Sequence, residues 1–189
     1  MRVISGKFKG KEIPFENEKF DNANATPQKI KKAVFSILGE DLSGKSFLDL
    51  YACSGQMGIE ALSRGTDFVV FNEIDKNRFQ FIRSAVEKFK LGDSALVLNF
   101  HSYRCMRYCK SKNYKFDCIF IDAPYLRIKN QKDIYDDILN ELNKYDLLKE
   151  NGKIIIQHSS KIRLNEELQY YKYHGTKKYA KNALSVFEK

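Results

Sequence analysis

A chain of 189 residues with 43% hydrophobic residues and 14 Phe is long enough to bury a substantial core and fits one domain, with a small appendage allowed at either end. This composition excludes a wholly disordered chain. No apolar run approaches the roughly 20 residues of a membrane span, and the opening Met1-Arg2-Val3-Ile4-Ser5-Gly6-Lys7 lacks an apolar signal-peptide core. The net charge of +9 is concentrated at the ends: residues 1–35 hold eight Lys/Arg against four Asp/Glu, and residues 161–189 hold seven against three. Basic ends around a neutral middle suit a catalytic domain whose edges grip a polyanion; a solubility device is the plainer alternative. A further cluster, Tyr103 to Lys115, has five cations, three tyrosines and no acid, and reads equally well as a solvated helix face. Four cysteines, at 53, 105, 109 and 118, show no C-x-x-C pair and no zinc-like spacing with His. They are expected to be free thiols of a reducing cytoplasm, with no metal site.

In chain order, residues 2–15 read as two short strands around a turn at Gly6, ending before Pro14, and residues 16–25 as polar loop. Thr26-Pro27 is a helix start, with Thr as N-cap and Pro in the first helical position. Ile30, Ala33, Val34, Ile37 and Leu38 then repeat with helical period, which leaves Lys29, Lys31 and Lys32 on or near the outer face. Four apolar runs follow, at 46–50, 68–72, 95–98 and 116–121, separated by helical patterns that include 76–90. They lack polar alternation, as expected of parallel strands buried on both faces. A helix over 133–145, a turn at Asn151-Gly152 into the Ile154 strand, and two strands (168–174 and 183–187) able to pair antiparallel complete the pattern. Alternating β and α elements predict a doubly wound α/β sheet with helices on both sides, residues 1–25 forming a hairpin and loop and residues 26–189 one compact unit.

Ligands of such sheets bind beyond the carboxyl ends of the strands. The run Asp49-Leu50-Tyr51-Ala52-Cys53-Ser54-Gly55-Gln56-Met57-Gly58 closes the first parallel strand and opens a helix. Glu73 closes the next strand, at the spacing by which a βαβ unit grips a ribose. Gly55 and Gly58 are expected to let a nucleotide-like cofactor approach the backbone; a tight turn with no ligand is the simpler alternative. Asp122-Ala123-Pro124-Tyr125 closes a later strand. Exocyclic amines of nucleobases are poor nucleophiles because the nitrogen lone pair is delocalised into the ring. A carboxylate and a backbone carbonyl accepting the two N–H bonds would aim that lone pair, and a stacked aromatic ring would fix the base plane. Asp122, the Ala123 carbonyl and Tyr125 supply those parts, and Pro124 stiffens the turn.

On these motifs the chain resembles, over nearly its full length, the RsmD-type small-subunit rRNA (guanine-N2) methyltransferases. The resemblance runs from Met1 to Gly10, through Thr26-Pro27, Asp49 to Leu62, Ser63-Arg64-Gly65 and Glu73-Ile74-Asp75, to Asp122-Ala123-Pro124-Tyr125. It implies a Rossmann-like class I fold with a seven-stranded, mostly parallel sheet, S-adenosylmethionine as cofactor, and action as a cytoplasmic monomer on 16S rRNA in an assembling 30S particle. The implied cofactor residues are Thr26, Asp49, Tyr51, Ala52, Ser54, Gly55, Gly58, Glu73, Ile74, His101, Ser102 and Asp122. The RNA contacts expected from the basic charge are Lys7, Lys9 and Lys11 on the hairpin, Lys29, Lys31 and Lys32 on the first helix, and Arg127 and Lys129 beside the pocket, each with a solvated side chain as the plainer alternative. Four departures stand out. Cys53 replaces a glycine, Ala123 replaces a proline, His101 stands where an Asp usually accepts from the adenine amine, and Asn24-Ala25 replaces an Arg-Pro. These leave open a non-catalytic assembly factor on the same scaffold; a DNA adenine methyltransferase is the other alternative.

Overall fold

The computed structural model describes residues 1–20, 26–124 and 131–189. Among these, seven strands form one sheet: β1 (Ser46–Asp49), β2 (Phe68–Asn72), β3 (Ala95–Leu98), β4 (Phe116–Ile121), β5 (Leu148–Ser159), β6 (Lys172–Tyr179) and β7 (Asn182–Glu188). Five α-helices are described, α1 (Gln28–Leu38), α2 (Gln56–Ser63), α3 (Lys76–Lys88), α4 (Ser102–Ser111) and α5 (Gln131–Lys144). The order across the sheet is β3-β2-β1-β4-β5-β7-β6. Strands β1 to β5 pair in parallel, whereas β7 runs antiparallel between β5 and β6. This is the Rossmann-like methyltransferase architecture. Its order reverses between β1 and β4, which opens a crevice at their carboxyl ends.

Adjacent residues of each central strand point to opposite faces, and the core divides accordingly. Phe47, Val69, Phe71, Phe120 and Ile155 pack on the side that carries α1, Met57, Ile59 and Ile82. Leu48, Val70, Ile119, Ile121 and Ile154 pack against Cys105, Met106, Ile138 and Leu142 of α4 and α5. The sheet is thus buried on both faces, which is why its central strands read as unbroken apolar runs.

The expected N-terminal hairpin is short: around the antiparallel bridge between Arg2 and Glu12, Val3 N–H donates to the Lys11 carbonyl (3.0 Å) and Ile13 N–H to the Met1 carbonyl (2.7 Å). Its tip turns to α2 instead: Ile4 and Ser5 N–H donate to Glu60 (2.9 and 3.0 Å), and Lys7 N–H to the Ser63 carbonyl (2.7 Å). A Cβ on Gly6 would stand 1.7 Å from the Ser63 oxygen, so only glycine lets the segment lie this close to α2. Val3, Phe8 and Ile13 anchor it in the core. Two other boundaries differ from expectation. Asn151-Gly152 lies inside β5 as an irregularity rather than before it, and β6 starts at Lys172, its register set by β7 through the tight turn at Ala180 (φ 54°).

Candidate active site

Four loops at the carboxyl edge converge on the β1/β4 crevice. The first leaves β1 at Asp49, which is 1% exposed and accepts from the Gly58 N–H at 3.3 Å. Burial raises the Asp49 carboxyl to about 8; the Gly58 bond opposes this, and the charges of Asp122 and Glu73 add to it. Gly58 therefore has a different role from the one expected. Its N–H faces Asp49, and a Cβ there would strike the Phe71 ring at 2.2 Å, so glycine is required by helix-on-strand packing. Gly55 (φ 71°) caps α2, and Ala52 and Ser54 beside it are buried.

Glu73, just past β2, is 5% exposed. Its Oε2 accepts from Cys53 N–H at 2.8 Å, and its Oε1 from Asp75 N–H at 2.9 Å and Arg78 at 3.2 Å. Of the roughly four acceptor positions of a carboxylate, about one remains for a ligand, at Oε2. Ile74 next to it is 59% exposed, an apolar face presented at the rim. Asn99 holds it there by donating to the carbonyls of Glu73 and Ile74 at 2.7 and 2.8 Å. Beyond β3, His101 is exposed and stacks on Tyr103 (5.4 Å, 20°). Ser102 is buried, hydrogen-bonded to the half-buried Tyr51.

Asp122 follows β4. Although the residue keeps part of its surface open, its carboxyl is deeply seated. Lost hydration raises it to about 7, against the Thr26 hydroxyl, which donates to Oδ2 at 3.2 Å. Thr26 is thus not the N-cap expected: α1 begins at Gln28 with Pro27 as its cap, and the threonine hydroxyl goes to Asp122 instead. Ala123 is buried and Pro124 exposed. Tyr125, Arg127 and Lys129 lie outside the described residues, as does Asn24-Ala25.

The basic residues sort by burial. Lys7, Lys9, Lys11, Lys29 and Lys32 are exposed. Lys31 is not: it is fully buried, 3.4 Å from Glu60 and donating to the Arg2 carbonyl at 2.7 Å. Its assignment to an RNA surface is corrected, because an ammonium sealed in the core meets no phosphate. Burial lowers its pKa, with Glu60 opposing.

Two polar residues of the site escaped the sequence reading. Gln56, 2% exposed at the start of α2, donates to the Thr26 carbonyl at 2.7 Å. Asn72, closing β2, donates to the carbonyls of Leu50 and Phe100, both at 3.1 Å. The available signal was a buried-type helix opening on Gln and an apolar strand closing on Asn. Gln56 Oε1, Asn72 Oδ1 and Gln157 Oε1 are buried without a hydrogen-bond partner among the described residues. Orphaned acceptors gathered at one sheet edge are what a donor-bearing polar ligand would satisfy.

Comparison with known proteins agrees with this architecture. Residues 1–188 match the family described as Conserved hypothetical protein 95. The Bacillus subtilis protein named "Putative rRNA methyltransferase YlbH" is 32% identical over 88% of this chain and 86% of its own length. The "Ribosomal RNA small subunit methyltransferase D" of Buchnera aphidicola (from Acyrthosiphon pisum) is 28% identical over 84% and 78%. Among solved structures, a hypothetical protein from Thermus thermophilus superposes with a TM-score of 0.80 at 23% identity, covering 100% of this chain and 99% of that one. An RNA methyltransferase from Salinibacter ruber in complex with S-adenosyl-L-homocysteine gives 0.65 at 10% identity, covering 87% and 93%. With the family profile spanning almost every residue, the chain belongs to the Conserved hypothetical protein 95 family, the RsmD-type group.

Proposed function

We propose that this protein transfers a methyl group from S-adenosylmethionine to the exocyclic N2 amine of a guanine in 16S rRNA, acting as a monomer on an assembling 30S particle. The observation that carries the reading is Asp122, a deeply seated carboxylate fixed by Thr26 at the mouth of the β1/β4 crevice. Relatives named as rRNA methyltransferases support the substrate class.

The residues present fit the cofactor. Asp49, Glu73 and Asp122 gather around the loop, and burial raises two of these carboxyls. A sulfonium or ammonium centre would relieve that cost. Glu73 Oε2 would accept from a ribose hydroxyl, Ile74 would cover one face of the adenine, and the Gln56 and Asn72 acceptors would take polar donors of the ligand. Bound there, S-adenosylmethionine supplies a methyl group already activated by its sulfur.

The chain's own task is alignment, so no strong general base is required. Asp122 and the Ala123 carbonyl accept the two amine N–H bonds and aim the nitrogen lone pair. Once methylated, that nitrogen is acidic, and ionised Asp122 is placed to take its proton. Substituting Asp122→Ala should lower methyl transfer to 16S rRNA at least about a hundredfold at saturating cofactor, while cofactor binding by calorimetry weakens far less because Asp49 and Glu73 remain. Normal turnover in that variant would sink the assignment.

A further inference from the structure

The tip of the N-terminal segment and the end of α3 are far apart in sequence, yet they share one surface. Phe8 and Phe89 meet edge to face, with ring centroids 5.3 Å apart at 82°. Lys11 Nζ stands 5.1 Å from the Phe8 centroid and 5.8 Å from that of Phe89, and Lys7 Nζ is 5.5 Å from Phe8. Lys88 and Lys90 flank Phe89 in the chain, and both are exposed, as are Lys7, Lys9 and Lys11. Among the described residues, none of these five lysines forms a salt bridge; the acids beside them in sequence are Glu12, which pairs with Arg2 at 3.1 Å, and Glu87.

Two ammonium groups over one aromatic pair, with three more exposed lysines within one residue of Phe8 or Phe89 in the chain, concentrate positive charge that a polyanion would relieve. The cation–π contacts also hold Lys7 and Lys11 in place, so less side-chain freedom is lost when a phosphate arrives. The face connects to the site. Helix α3 starts beside Glu73 and Ile74, is 13 residues or about 20 Å long, and exposes Lys76, Arg83 and Lys88 with Glu87 as its sole acid.

We infer that the lysine face joining the N-terminal turn to the end of α3 binds the phosphate backbone of rRNA flanking the target nucleotide. The inference rests on the proposed function for its substrate. It assigns Lys88 and Lys90 a role that nothing in their local sequence indicates, since their proximity to Lys7 and Lys11 exists only in the folded chain.

The test is binding of transcribed 16S rRNA as a function of salt, comparing wild type with Lys88→Gln/Lys90→Asn. Asn is chosen because position 90 has φ 55°, a conformation it tolerates. Cofactor binding and Tm should be unchanged. Affinity at low salt should fall about tenfold or more, and the slope of log K against log salt should become shallower by about 1.4, for two single-strand phosphate contacts. A control pair on the far edge strand, Lys177→Gln/Lys178→Gln, should leave the slope in place. If the wild type binds and methylates rRNA while the Lys88/Lys90 variant keeps its slope, this inference falls and the proposed function stands. An equal loss in the control pair also overturns the inference, by showing a general charge effect. Failure of the wild type to bind 16S rRNA at all overturns both.

Discussion

Cys53 adopts φ 50° at the turn leading into α2, a left-handed conformation that a β-carbon disfavours by roughly 1–2 kcal/mol. Its contribution to the site is its backbone N–H, which donates to Glu73 and which any residue but proline would supply. The thiol itself is pushed up to about 12, chiefly by burial and then by the Glu73 charge, so it stays protonated at neutral pH. Cys53→Gly removes the strain but gives the unfolded chain about 0.4–1 kcal/mol of extra freedom. The strain relief wins narrowly, and thermal melts should show Tm higher by about 1–3 °C with cofactor affinity unchanged. A lower Tm would mean that packing of the thiol outweighs the backbone. The strain was foreshadowed only by the family resemblance, which puts a glycine where Cys53 stands. The role of Gly58 was not, because its constraint comes from Phe71 on a different strand.

Among the elements, α1 and α2 are held to the N-terminal segment by Glu60. Its carboxylate accepts from Ile4 N–H, Ser5 N–H and Arg64 Nε and lies 3.4 Å from Lys31 Nζ. Removing Lys31 leaves Glu60 its Arg64 partner but orphans the Arg2 carbonyl and empties a buried site, at a cost of about 2–5 kcal/mol. Lys31→Ala should lose stability of that order in urea denaturation, whereas Lys29→Ala and Lys32→Ala, at exposed positions, should stay within about 0.5 kcal/mol. Equal effects at all three positions would refute the clamp. Helical periodicity placed α1 correctly, yet assigned Lys31 to solvent. The overlooked signal was Phe35, four residues on and buried, which puts Lys31 at the edge of the apolar stripe.

For the whole molecule, charge is segregated: the chain's ends are basic, while Asp49, Glu73 and Asp122 line the crevice. Asp49, near 8 in the fold against an ordinary 3.8, favours folding when neutral. Its stabilising contribution is complete below the unfolded value and is lost as pH rises through the folded one, between about 4 and 8. Between about pH 5 and about pH 9 the wild-type Tm should therefore fall by several degrees more than that of Asp49→Asn, read by thermal melts in matched buffers. Parallel pH profiles would show that Asp49 is not the group responsible.

The sequence by itself determined the strand runs, the antiparallel C-terminal pair, and the carboxylates Asp49, Glu73 and Asp122 at strand ends. Each of these is written in period or position within a few residues. Only the tertiary structure decided that Thr26 serves Asp122 instead of capping α1, that Gln56 braces Thr26, that the tip of the N-terminal hairpin docks on α2, and that Lys31 is sealed from solvent. In each case the competing hydrogen-bond or ion partner lies tens of residues away, and its proximity follows from how the layers stack rather than from any local pattern.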